Sequence, residues 1–323
     1  MKKILLFVLF CGTLLFGNEV VIYGPSSSKW IEKHYGPIFK EQTGWTIKYV
    51  SIDGVLSRLK LEQRNPKSDV VIGLTSLQSE IAKRDGYISS YIPKNKDNIK
   101  DEFFIMDKDF YVTPFDYGYL AINYNKDKLI TPPKNISELS KMSKELLGIN
   151  PMTSSTGEEA LMWSIALFGN DWEKFWNTIK PCIYTSEPGW SEAFAKFTTG
   201  EAPMMIGYAT SNIFFAMDEN QQKFDSFYLE EGAYMYLEGA ALTSKKEVSE
   251  GAKLFMESLL SDEFQKLVVS KNYMFPVTGI PVEEEFKMVP KPSNPIKLSE
   301  KQIDDLVQNM DKYKEKLVEI LKK

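Results

Sequence analysis

Six alternating segments at the start of the chain restrict the possible folds more than any other feature. From Val20 the sequence reads as the apolar strand VVIYG, an amphipathic segment through Phe39, the strand TIKYVSI, the helix-like GVLSRLKLEQ, the strand DVVIGL and the amphipathic LQSEIAKRDG. Strand and helix alternate with short connections, the signature of an α/β doubly wound sheet covered by helices. Each strand runs into small or polar residues: Ser26 to Ser28, then Asp53 and Gly54, then Thr75 and Ser76. Ligands of open α/β sheets lie outside the carboxyl ends of the strands, which makes these turns candidate positions. Asp53 reads equally well as the cap of the helix beginning at Gly54.

Two long β-rich runs come later, YVTPFDYGYLAINY at Tyr111 to Tyr124 and GAYMYLEGAALTS at Gly232 to Ser244. Between them lies a separate strand and helix cycle. It comprises a helix near Ile136 to Leu147, a strand at Leu147 to Asn150, helices at Thr156 to Phe168 and Trp172 to Ile179, and the stretch around Trp190. Two extended runs flanking one such block imply two lobes with the chain crossing twice. Lobe 1 is expected from 18–112 with 236–323 and lobe 2 from 113–235. The tail from Glu300 to Lys323 carries Ile303, Leu306, Met310, Tyr313, Leu317 and Ile320 at spacings of three and four, a helix expected to brace one domain face.

The stretch GWSEAFAKFTTGEAPMMIGYATS, from Gly189 to Ser211, predicts a helix over Trp190 to Thr199 ended by Gly200, then a buried strand over Pro203 to Tyr208. A ten-residue helix rises about 15 Å and a six-residue strand returns about 18 to 20 Å, so Trp190 and Tyr208 are expected at one sheet edge as an aromatic clamp. NPMTSSTG, Asn150 to Gly157, places Ser154, Ser155 and Thr156 at a helix start, where free N–H groups can meet an anion or hydroxyl. The competing reading is a capping box, Ser155 with Glu158 or Thr156 with Glu159. Tyr273, in the loop KNYMFPV, and Tyr35, after His34, are further aromatic candidates.

Lys2 and Lys3 precede an apolar run that ends near Gly17, the order of a cleaved secretory signal over residues 1–17. Cys11 suggests a lipid anchor, but Phe10 before it is large for that motif. The remaining Cys182 then has no partner for an internal disulfide. Net charge is −5, and −7 without Lys2 and Lys3, which argues against nucleic acid as partner. One histidine, His34, and one mature cysteine do not assemble a zinc site, and no phosphate loop or G-x-S-x-G elbow is present. The chain reads as a non-enzyme with no cofactor and no metal.

Taken together, DGVLSRLKLE, SDVVIGL, PFDYGYLAINYNKDKL, PMTSSTG, PGWSEAFAKFTTGE, MMIGYATS and NYMFPV resemble the periplasmic solute-binding proteins of ABC importers, and within them the thiamine-binding members. The resemblance implies a two-lobed periplasmic binding protein fold of type II. Each lobe is a doubly wound sheet and two crossing strands form the hinge. It also implies periplasmic location and a monomer that delivers one ligand, thiamine or a phosphorylated form, to an inner-membrane permease. By position it makes Trp190 and Tyr208 aromatic contacts, Ser154 the hydroxyl at the ligand's phosphate or hydroxyethyl end, and Tyr273 and Tyr35 occupants of tryptophan positions. Thr75 stands where thiamine binders carry an aspartate, and Phe214 where they carry a tyrosine. Rival cargoes are a phosphonate, another small cation or ferric iron; a rival class is an exported phosphate-ester hydrolase.

Overall fold

The computed structural model describes residues 18–52, 54–282 and 284–322; the expected signal segment with Cys11, and Asp53, lie outside the described residues. Twelve strands are formed: β1 (Glu19–Gly24), β2 (Thr46–Ser51), β3 (Val70–Leu74), β4 (Ile88–Ser89), β5 (Thr113–Asn125), β6 (Leu146–Ile149), β7 (Ile183–Glu187), β8 (Met204–Tyr208), β9 (Phe224–Phe227), β10 (Ala233–Thr243), β11 (Phe275–Pro276) and β12 (Pro295–Ile296). The path of paired strands is β2-β1-β3-β10-β5-β8-β6-β7. β1 is parallel to β2 and β3, and β6 is parallel to β7 and β8, so each half has its own parallel centre.

Both centres are buried on both faces, as parallel strands require. In the first half Val70 and Ile72 face a core with Phe39, Phe255 and Phe264, while Val71 and Leu74 face another with Leu59 and Ala82. In the second, Leu146, Met204 and Ile206 pack with Trp163 and Trp176, whereas Leu147, Ile149 and Met205 pack with Ala193, Phe197 and Phe215. Alternate residues of one strand thus enter opposite cores, and helices cover both sides.

β5 and β10 join the halves. Residues 113 to 119 of β5 pair antiparallel with β10, and Leu120 to Tyr124 pair with β8. Along β10, Tyr234 belongs to the core around Trp163, and Tyr236 to the core around Phe115 and Phe264. These two strands carry the chain from one half to the other.

One helical expectation is altered and another is met. The segment expected as a helix to Leu147 is helical only over Ile136–Leu139, because Lys144 takes φ 56° and the Lys144 and Glu145 N–H groups bond to the carbonyls of Pro181 and Cys182. The tail helix, Glu300–Lys322, buries Leu306, Met310, Leu317 and Ile320 in the core of Trp172, Phe175 and Trp176. It also reaches the first half, where Asp304 pairs with Arg84. Cys182 is buried and free, and no helix among the described residues is long and apolar enough to cross a membrane.

Candidate functional site

Parallel β6, β7 and β8 put Ile149, Glu187 and Tyr208 at one edge, so the turns after them share a rim. After β6 the chain turns into the Ser155–Phe168 helix, with extended Ser154 (φ −138°, ψ 134°) as its N-cap. No side chain caps this helix start. Neither expected capping box forms: Glu158 instead pairs with Lys314, and Glu159 is buried. Gly157 lets the helix start press on β6, since a Cβ there would lie 2.6 Å from the Asn150 carbonyl. Ser155 is exposed, Ser154 half-buried and Thr156 buried. The Thr156 hydroxyl lies 3.1 Å from the Tyr208 hydroxyl, a hydrogen bond from this helix start to the end of β8.

The Trp190–Thr199 helix spans the expected residues and ends at Gly200, whose left-handed backbone (φ 86°) needs glycine. Trp190 is half-buried, stacks on Phe194 at 4.6 Å and leaves its indole N–H without a partner. Phe214 meets Phe194 edge-on at 5.8 Å and extends this ladder. Tyr208 lies at the same rim but its ring tilts against Tyr236 at 5.5 Å rather than against Trp190. The expected aromatic pair is therefore two separate faces.

The strand crossing holds the strongest electrostatic feature. Asp116 of β5 and Glu238 of β10 are register partners in the antiparallel ladder, 0% and 7% exposed. The Asn272 amide donates to Asp116 Oδ2 at 2.5 Å and itself accepts from the Trp30 indole N–H at 3.0 Å, and the Asp116 and Glu238 carboxyls hydrogen-bond each other. The Tyr236 hydroxyl donates to Glu238 Oε1 at 2.7 Å. Burial pushes the Asp116 carboxyl well above its usual range, and the neighbouring Glu238 pushes it further. Glu238 is raised too, chiefly by burial, which the Tyr236 hydrogen bond partly offsets. Glu159, 1% exposed, is raised well above its usual range by burial and then by Glu158 and Glu238. Burial also raises Tyr208 and Tyr236, keeping both phenols protonated.

Of the remaining expected residues, Thr75 follows β3 and caps the Ser76–Arg84 helix in a reciprocal capping box with Gln78. It adjoins Leu74, the partner of Gly239, and so stands close to Glu238 along β10. Tyr273, in a left-handed backbone (φ 55°), packs with Ala121, Ala209 and Ile213 beside Tyr208. Tyr35 sits inside the first core, edge-on to Phe264 at 5.0 Å, because a wide π-helical turn over Ile31–Tyr35 directs it inward. The structure thus joins Thr156 to Tyr208, sets Ser154 and Ser155 beside Thr156 and Tyr273 in the cluster of Ala209, places Trp190 on Phe194 and Thr75 next to Leu74 beside β10, and leaves Tyr35 apart. Asp116, Glu238, Tyr236 and Glu159 were missed. Their signal was a charge inside an otherwise apolar strand run, FDYG and YLEG, and an acid in an apolar helix.

Residues 36–291 match the family model described as bacterial extracellular solute-binding protein. The thiamine-binding periplasmic protein of Escherichia coli is 29% identical over 309 residues, covering 93% of each chain. That of Brucella abortus is 32% identical over 266 residues, 79% of this chain and 77% of the relative. Among solved structures, a periplasmic thiamin binding protein superposes with TM-score 0.82 at 25% identity, covering 94% of this chain and 96% of that one. The ferric binding protein from Campylobacter jejuni reaches TM-score 0.78 at 20% identity, covering 93% and 99%, a likeness of fold alone.

Proposed function

The chain belongs to the bacterial extracellular solute-binding proteins, and on that premise we propose that it captures thiamine or a phosphorylated form at the strand crossing for an inner-membrane permease. The coarser role is that of the family: a periplasmic, small-molecule-binding component of an ABC importer with a type II fold. We place the lobes at 18–112 with 236–323 and at 113–235, with the Glu300–Lys322 helix reaching back onto the second. The protein acts as a monomer, and its lobes close over the ligand.

One observation carries this reading. Thr156, Tyr208, Tyr236 and Glu238 form an unbroken chain of contacts from a helix start in the second half to a crossing strand. A ligand held there touches both lobes and can couple its own binding to closure. Trp190, Tyr208 and Tyr273 offer aromatic faces, each worth roughly 0.5 to 2 kcal/mol against a cationic ring. Ser154, Ser155 and Thr156 offer hydroxyls for the polar end. Thr75, at the carboxyl end of β3, would approach from the first lobe.

Ferric iron fits this chemistry poorly. Its hard ligands are typically adjacent tyrosines with a carboxylate or histidine, whereas Tyr208 is followed by Ala209, and no group of three or more His, Cys, Asp or Glu that could hold a metal ion is found among the described residues. Calorimetry with thiamine and thiamine monophosphate tests the cargo. Saturable one-to-one heat at micromolar concentration or tighter, about 8 kcal/mol or more, supports it. No heat with either removes the cargo and leaves the family intact. Turnover of a phosphate ester by the purified protein would instead favour a hydrolase.

A further inference from the structure

We propose that Glu159 is a ligand-binding residue which, facing Glu238 across the strand crossing, makes the site select an organic cation over uncharged molecules of the same shape. This rests on the reading that a small organic ligand binds at the crossing, and it deepens that reading by naming the ligand's charge and a residue that recognises it.

Five carboxyl side chains are buried among the described residues: Asp116, Glu158, Glu159, Glu187 and Glu238. Glu158 pairs with Lys314 and Glu187 with Lys196. The other three have no lysine, arginine or histidine partner among the described residues, and all three gather at the crossing. Asp116 has Asn272 and Glu238 has Tyr236, but Glu159 Oε1 has no partner at all. A buried carboxyl without a counter-charge takes up a proton, and a cation arriving beside it can take that proton's place.

Geometry shows which direction that charge comes from. Glu159 lies three residues after Thr156, on the same helix face, and Thr156 meets the Tyr208 hydroxyl. The titratable groups that feel Glu159 are Glu158 on its own helix, Tyr208 on β8, and Tyr234, Tyr236 and Glu238 on β10. None is cationic, and Lys314 is already engaged by Glu158. Three tyrosines and two further acids around one unpaired carboxyl are a lining for a flat cation: ring faces and negative charge, with no positive group to compete. Thr75 has no carboxyl group to offer from the first lobe, and its hydroxyl accepts the Gln78 N–H in the capping box. Glu159 supplies one from the second.

The test compares wild type with Glu159→Gln, which keeps the shape and removes the charge. The probes are thiamine and its uncharged isostere with a thiophene in place of the thiazolium. Wild type is expected to prefer thiamine, and the variant to lose about tenfold or more of that affinity with the isostere unchanged. No loss, or equal losses for both probes, overturns the inference and leaves the importer reading standing. If wild type binds neither probe, the thiamine reading fails by itself. The inference is then decided by thermal shift with choline, tetramethylammonium and glycerol. Stabilisation of wild type by the cations alone, weakened in the variant, upholds it; stabilisation by none, or equally by glycerol, overturns it. A measurement on wild type alone covers a variant that fails to fold. Titration of thiamine in two buffers of different ionisation enthalpy at pH 7 is expected to show proton release on binding, and absence of release contradicts the inference.

Discussion

Raising the pH of the ligand-free protein should destabilise it, and Glu159→Gln should remove part of that loss. The ordinary values are 3.8 for Asp116 and 4.5 for Glu159, and burial holds both well above them in the fold. Below about pH 4 each group is protonated folded or unfolded and adds nothing to the pH dependence. Above that, the unfolded chain releases its protons while the folded chain keeps them, so unfolding becomes easier as pH rises. The loss continues until the folded groups ionise themselves. Each such group contributes a slope of about 1.4 kcal/mol per pH unit within its window. Substituting Glu159 by glutamine deletes one of these contributions. Between pH 5 and 7 the variant should therefore gain on wild type by up to about 2 to 3 kcal/mol. Urea unfolding followed by fluorescence at pH 5, 6, 7 and 8 reads this directly. Stability curves for variant and wild type that run parallel across that range would refute the claim that Glu159 stays protonated and unpaired.

Three further expectations follow from the same geometry. Trp190→Ala should cost about 2 kcal/mol or more of ligand binding, read by calorimetry, with a smaller loss in urea stability, because the indole is half-buried and its N–H is unpartnered; equal losses would make it a packing residue only. Tyr208→Phe should cost about 1 kcal/mol through the lost bond to Thr156, and Thr156→Val should cost a similar amount without adding to it in the double variant. Additive losses would mean the two hydroxyls do not act as a pair. Gly157→Ala should destabilise by about 1 to 3 kcal/mol and weaken binding together, since the new Cβ would meet the Asn150 carbonyl and shift the helix start; wild-type melting would show that the helix is not pressed on β6.

How far the sequence alone reaches depends on the range of the interaction involved. The Trp190–Thr199 helix was legible to the residue because its apolar spacing and terminal Gly200 are local signals. The alternation from Val20 and the two long runs likewise gave the doubly wound halves and the crossing strands. The pairing of Asp116 with Glu238 was not legible. It depends on the register of two strands more than a hundred residues apart, and no local pattern encodes that. Glu159 looked like an ordinary acid in a first or second helical turn; only the packing of that helix against β8 and β10 shows that it is buried without a cationic partner. Tyr35 was expected at an edge, and the π-helical turn over Ile31–Tyr35 places it in the core instead. Trp190 and Tyr208 were placed at one rim by element lengths, but side-chain direction gave each a different neighbour, Phe194 and Tyr236.

The most direct test of the whole account is a crystal structure of the protein grown with thiamine. The account expects the ligand at the crossing of β5 and β10, within about 4 Å of Tyr208, Ser154 and Glu159, its charged ring toward the carboxyl groups. A ligand bound elsewhere, or seated at the crossing with its uncharged ring toward those acids, would contradict it.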